Sequence, residues 1–491
     1  MRNLTKKEQR AGNLFVTVSW APPFSVLPFA GLRLARCCPG LFPMKLRLLQ
    51  YWQLLRESLW FVPGLMVLGA IGAAAGLVRY DARTDPHGTK HFPLLLGIGA
   101  DASRGMLTAI AGSMLTVATL AFSVTLAALS QISTQYSPRV LRNFMRDQVN
   151  QVIMGYFVGV FAFCLSVLGT IRGPEEGKFV PSSAVLAGLL LALGGVAALV
   201  FFIHHMAESL QTGTLVRHIT AETIEAIGRM FPHRFGEPIV DERAAAAAYA
   251  LQHSQTGWQP LRATGYGYLQ RIDPAGLLRW AVRHRAVLRL DLPMGAFVGE
   301  GQPLFSVRPG PDAPRESRAE WPADLMDYVS LGRHRNIEQD VGFGIQQLVD
   351  IALKALSIGV NDTTTAIMAV DYLGEIGGRL ARLEFPVPFR SDGHRLRVLV
   401  PTATFEDYVR LCFDLIRVNA RGNPAVLRRL LRALALVAGQ VRVEPRKAVL
   451  RAQAAHVLAW AHATLATAYE KQEVQALYDA VQAVWKEETV E

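Results

Sequence analysis

A chain of 491 residues that is 51% hydrophobic and 19% charged is too apolar for intrinsic disorder and long enough for two to four domains. Its formal charge of +11 would suit a nucleic-acid binder. The arginines, however, fall singly or in pairs through helical periods, with no basic patch interleaved with aromatics, so no nucleic-acid partner is expected. Cys37, Cys38, Cys164 and Cys412 show no zinc or disulfide spacing, which suits a soluble part facing a reducing compartment.

Residues 1–43 have a basic start and an apolar middle broken by Pro22, Pro23 and Pro28. No small-x-small cleavage site follows, and Arg36 before Cys37 speaks against lipoprotein processing. The segment reads as an upstream, non-native or disordered extension ahead of a membrane-protein-like beginning at Met44. A weak amphipathic surface segment is the alternative.

Four charge-free stretches follow within 44–210. They are Leu59–Val78, the run from Gly105 to Pro138, Val152–Ile171 and Ser183–Ile203. Each reaches the ~20 residues that cross a ~30 Å hydrocarbon core, and in hydrocarbon such a span must be helical. The second run is longer than a bilayer requires, so it must tilt, kink or project. An even number of spans puts both ends of the chain on one side. Lys45, Arg47 and Arg56 before the first span, and Arg139, Arg142 and Arg146 after the second, favour that side being the cytoplasm of a cell with an inner membrane. The loop with Arg79, Arg83, Lys90 and Arg104 pulls the other way.

Within the second span Gly112, Thr116, Thr119, Ser123, Ser130 and Ser133 recur at steps of three, four and seven, forming one small, polar stripe. Close helix packing explains it. A hydroxyl-lined pathway in a homo-oligomer, with Arg139, Arg142 and Arg146 at its cytoplasmic mouth, is the sharper alternative. At the end of the fourth span His204, His205 and Glu208 sit at helical spacings that converge on a metal or proton. One carboxylate and two adjacent histidines do not close a site, so interfacial packing is favoured and no metal is expected.

The soluble half begins with an amphipathic helix and linker (211–260). A small β-rich, sandwich-like region (261–310) follows, with a tight turn at Gly299–Gly301. Its spacing resembles the hammerhead of biotinyl and lipoyl carrier domains, but Thr264–Val307 contains no lysine to carry the group. Residues 320–491 read as a helical domain. Its first helix carries an apolar stripe of Val341, Ile345, Leu348, Ile351, Ala352, Ala355 and Leu356. No phosphate-binding loop, His-Glu-x-x-His or nucleophile elbow occurs, so neither a catalytic set nor a cofactor is expected. Asp340, Asp350, Asp362 and Asp371 are better explained as caps and solvated faces than as paired acids.

The stretch "KALSIGVNDTTTA" reads as a joint between two helices. Gly359 allows a left-handed turn, Asn361 or Asp362 caps the next helix, and Thr363 opens its first turn. The same amides would also hold an anion.

Several blocks together, "ASRGMLTAIAGSMLTVATLAFSVTLAALS", "FFIHHMAESLQ", "GYLQRID", "QDVGFGIQQLVDIALKALS" and "GVNDTTTA" among them, resemble a bacterial family of predicted multi-pass membrane proteins, domain of unknown function twenty-two fifty-four. The resemblance runs from about Met44 to the 440s. Where the family commonly has proline, this chain has Ile358 and Thr363. The resemblance implies an integral membrane protein with a cytoplasmic C-terminal domain, and no activity. The fold expected is therefore mainly α: four transmembrane helices, then a cytoplasmic α+β region. Two functions stay open. One is an oligomeric ion or small-solute channel with a gating or oligomerising soluble domain. The other is a membrane-anchored sensor or scaffold whose soluble domain binds a ligand or partner.

Overall fold

The computed structural model describes residues 60–84, 100–135, 147–172, 179–231, 254, 256–310, 323–385, 389–392 and 395–487. The extension at 1–43 and the three arginines Arg139, Arg142 and Arg146 lie outside the described residues.

Four helices are long and apolar enough to cross a bilayer: α1 (Phe61–Thr84), α2 (Ala100–Gln135), α3 (Gln148–Leu168) and α4 (Ser182–Ser209). Two outrun their charge-free stretches. α1 continues through Arg79 and Arg83, and α4 through His204 and His205, because headgroups and water solvate such side chains at the bilayer surface. The helices alternate in direction. The end of α1 meets the start of α4, where the Asp81 carboxylate accepts the amides of Ser183 (3.0 Å) and Ala184 (3.2 Å). At the same end Arg104, near the start of α2, donates to the carbonyl of Ile171, just past α3, at 2.8 Å. At the opposite end the start of α3 meets the end of α4 through Asp147 and His205.

Small residues set how closely these helices pack. Gly155 and Gly159 on α3 receive α1 along Pro63, Met66 and Ala70; a Cβ at Gly155 would stand 2.7 Å from Met66 Sδ and 2.9 Å from Pro63 Cα. This G-x-x-x-G contact lets two backbones approach where apolar burial supplies no driving force. Leu107 and Met114 of α2 lie against Gly188 and Gly195 of α4, so those two helices run in parallel register.

From α4 the chain turns at Leu210–Gln211 and continues as α5 (Thr212–Met230). The β-rich region holds β1 (Gln259–Arg262), β2 (Gly267–Ile272), α6 (Pro274–Arg283), β3 (Ala286–Leu290), β4 (Phe297–Val298), β5 (Pro303–Pro309), a 3-10 turn (Ala323–Tyr328) and β6 (Val329–Gly332). The helical region follows with α7 (Val341–Ala355) and α8 (Thr363–Arg382). A hairpin of β7 (Phe389–Ser391) and β8 (Leu396–Leu399) comes next, then α9 (Phe405–Asn419), α10 (Pro424–Ala438), α11 (Glu444–Thr464) and α12 (Ala468–Glu487).

The strands form two sheets, β1-β5-β3-β8-β7 and β4-β2-β6. Neither sheet is contained in 261–310. β8 from the helical region joins β3 in parallel, pairing Leu288 with Val398 and Arg289 with Leu399. Val398 is buried in the same core as Leu288, Phe305 and Trp280, so the β-rich and helical regions share a sheet. Gly301 takes φ +74 in the expected turn.

The expected apolar stripe of α7 is the centre of the helical core. Val341, Ile345, Leu348, Ile351, Ala352 and Ala355 are buried there, with Leu356 packed against them. That core also takes Val216, Ile219, Ala226 and Ile227 of α5, and Ile132 near the end of α2. At 1.5 Å per residue the 36 residues of α2 span ~54 Å, well beyond a ~30 Å hydrocarbon core. Its surplus length is what enters the soluble half.

Candidate functional site

The face of α2 opposite its bundle contacts is the first candidate. Leu107, Ala111, Met114, Ala118, Ala121 and Ala128 face the other spans and are buried. Gly112, Thr116, Thr119, Ser123, Ser130 and Ser133 are exposed, with no side chain or backbone within 4 Å of a Cβ placed at Gly112. Among the described residues the stripe therefore packs on no other helix. Thr116 donates to the carbonyl of Gly112 (3.0 Å), Thr119 to Leu115 (2.9 Å) and Ser123 to Thr119 (2.9 Å). These bonds use the hydroxyl protons and leave the oxygens as outward acceptors. Leu115, Leu120, Phe122 and Leu126 are exposed on α2 as well, so the stripe runs between large apolar side chains. The outward faces of α1 and α4 carry Leu65, Leu68 and Ile71, and Leu190, Leu193, Val196 and Val200, with no serine or threonine between Gly64 and Gly76 or between Leu190 and Ile203.

The second candidate lies where α3 begins. Asp147 caps α3, accepting the Val149 amide at 3.0 Å through one oxygen. Its other oxygen stands 2.6 Å from His205 Nε2. Phe201 stacks on His205 with ring centroids 6.0 Å apart, and Ser209 Oγ lies 3.5 Å from the same nitrogen. His205 thus turns to Asp147 on the neighbouring helix rather than to Glu208 on its own, while His204 and Glu208 are exposed. Among the described residues no three His, Cys, Asp or Glu side chains gather to hold a metal. Asn150 and Gln151 share the Asp147 face of α3 by helical spacing and are buried. Neither polar atom of the Asn150 side chain has a hydrogen-bond partner among the described residues. Such a group is a place for water or a polar solute.

The third is the joint between α7 and α8. The left-handed residue there is Asn361, with φ +49, and not Gly359. Asparagine adopts this conformation more readily than other side-chain-bearing residues. Asp362 is the cap: its Oδ1 accepts the Thr365 amide at 3.0 Å and its Oδ2 the Thr365 hydroxyl at 2.5 Å. The hydroxyl bond first, and the amide bond second, hold the Asp362 carboxyl below its ordinary pKa. Thr363 is not idle in the first turn. Its Oγ1 accepts from Asn423 Nδ2 at 2.8 Å, and Asn423 in turn caps α10. Of the first-turn amides that would face an anion, that of Thr365 is taken by Asp362.

The other acids are structural as well. Asp340 caps α7 and pairs with Arg335, and burial pushes its carboxyl up. Asp371 accepts from Arg429, and Asp350 from Gln346. Sequence reasoning missed two features. The Gly155/Gly159 repeat was readable as a helix-packing signal. The Asp147–His205 pair had no local signal, since its partners lie on different helices.

A family model described as "Predicted membrane protein (DUF2254)" matches residues 56–436. Uncharacterized proteins of Mycobacterium tuberculosis (strain CDC 1551 / Oshkosh) and Mycobacterium bovis (strain ATCC BAA-935 / AF2122/97) are each 31% identical over 409 residues, covering 82% of this chain and 76% of the relative. No solved structure matches significantly.

Proposed function

The chain belongs to the predicted membrane protein family DUF2254, and from that premise we propose that it is an oligomeric channel or transport protein for ions or small solutes. The observation that carries this reading is the outward stripe of α2. An exposed face of glycine, threonine and serine, whose hydroxyls bond only within the helix among the described residues, sets α2 apart from α1 and α4, whose outward faces carry no hydroxyl in their central turns. Small residues favour a helix neighbour over lipid, and outward hydroxyl oxygens can replace part of a hydration shell. In the proposed assembly, copies meet around α2, and Thr116, Thr119 and Ser123 line the path between them.

Gating follows from the length of α2. The helix is continuous from the stripe to Ile132 in the helical core, so a rearrangement of that core moves the stripe as a lever. On this reading the soluble half lies in the cytoplasm, beneath an inner membrane. What supports this is the sequence: Arg139, Arg142 and Arg146 fall between α2 and α3, and α3 starts at the end where α4 finishes. The same lever would serve a membrane-anchored sensor or scaffold, so transport itself decides. Full-length protein in liposomes should pass ions or small solutes, and Thr116→Leu with Thr119→Leu should reduce the flux. A folded protein that passes nothing under any gradient removes the channel and leaves the sensor.

A further inference from the structure

Ile358, at the tip of the α7–α8 joint, is fully exposed, and Val360 is about half exposed. A single exposed apolar residue is ordinary. Two on one turn, held by the Asn361 conformation and the Asp362 cap, raise the question of what covers them. The direction of the turn answers it.

Three contacts fix that direction. Gly344 of α7 abuts Thr223 of α5, whose Cβ and Cγ2 would both lie 3.0 Å from a Cβ at Gly344. Gly213, at the start of α5, faces Met368 of α8. Phe231, just past α5, packs edge-on against Phe385, just past α8, with centroids 5.3 Å apart. So α8 runs parallel to α5, and α7 antiparallel to both. The same ~16 Å separates Thr223 from Thr212 and Gly344 from Ala355, which puts the end of α7 level with the start of α5. The joint lies past that level, toward Ser209, where the fourth span ends. Ile132 of α2 reaches the same core, so both helices leaving the membrane on this side lead into the region that carries the joint.

We infer that Ser357–Asn361 is a membrane-surface contact, with Ile358 and Val360 seated at the headgroup–acyl boundary of the bilayer the same chain spans. The surrounding charge fits a lipid surface. Lys354 lies in the last turn of α7. Arg421 is exposed beside Asn423, which is bonded to Thr363. Neither cation is held in an ion pair among the described residues. An apolar tip flanked by lysine and arginine is the chemistry of interfacial insertion into anionic lipid. The contact would steady the α7–α8 joint against the membrane while α2 moves, and it holds whether or not the protein passes a solute.

The test uses the full chain with its four cysteines replaced, reconstituted in liposomes of neutral and anionic phospholipid. Ile358→Cys and Val360→Cys, each carrying an environment-sensitive fluorophore, are compared with Ala403→Cys. Ala403 is exposed beside Phe405, at the Phe385 end of α8, the end of that ~30 Å helix opposite the joint. Labels at 358 and 360 should shift to the blue and lose several times more emission to nitroxide-headgroup lipid than the label at 403. Quenching no greater than at 403 would overturn the inference. So would a blue shift without lipid quenching accompanied by disulfides between copies, which would seat a second chain on the turn.

Discussion

Gly344→Ala tests the packing that positions the joint and couples α5 to α7. The added methyl would collide with Thr223 Oγ1 and press on Thr223 Cβ and Cγ2, each 3.0 Å away. Thr223 has no room to retreat. It is fully buried, and its hydroxyl is bonded to the Ile219 carbonyl at 2.7 Å. Overpacking of this kind costs about 1–3 kcal/mol. Against it stands the gain of replacing a mid-helix glycine by alanine, about 1 kcal/mol. The expected net is a loss of about 1 kcal/mol, within the ranges just given. Thr223→Ala removes the colliding hydroxyl and methyl, so in that background Gly344→Ala should become close to neutral. The difference between backgrounds, about 1–2 kcal/mol, is the coupling energy of the contact. Hydrogen exchange of α5 and α7 amides in nanodiscs reads the local free energy without assuming two-state unfolding of a multidomain chain. If Gly344→Ala raises protection in the native background, as propensity alone dictates for an open helix face, the close approach is wrong and the placement of the joint falls with it.

Gly155→Ile should lower the thermal midpoint in detergent, because the side chain meets Met66 Sδ and Pro63 Cα, whereas Gly72→Ile on the open face of α1 should leave it nearly unchanged. Equal losses would refute the assignment of inner and outer helix faces. Asp362→Ala should cost about 1 kcal/mol at neutral pH through the lost cap. The folded carboxyl titrates below its ordinary range, so its stabilisation is complete above that range and fades as pH falls through the lowered value. Exchange of the first-turn amides of α8 should therefore respond to Asp362→Ala at neutral pH and cease to respond in acid.

The membrane part was legible because hydrocarbon imposes one demand, a helix with no charges, and a helix runs through each of the four stretches. Their true ends were not, because charged residues such as Arg83 end an apolar run without ending a helix. In the soluble half, the stripe from Val341 to Leu356 spoke through its period. The hairpin at 389–399 did not, because its burial comes from β3, a strand distant in sequence. At the joint, the cap at Asp362 was visible in residue type. Placing the left-handed residue at Gly359 followed the usual preference for glycine, and the fold put it on Asn361 instead. The partner of His205 was hidden for the reason that hides most tertiary pairs: Asp147 becomes its neighbour only once α3 and α4 have packed.

The stripe on α2 is the centre of the functional account, and a single cysteine experiment probes it. Thr116→Cys and Leu193→Cys, on the outward faces of α2 and α4, are compared in full-length protein in native membranes. Thr116→Cys should form disulfide-linked dimers under mild oxidation and should react with small water-soluble thiol reagents, while Leu193→Cys does neither. If Thr116→Cys stays monomeric and as unreactive as Leu193→Cys, the stripe faces lipid, and neither an oligomer built on α2 nor a pathway along it survives.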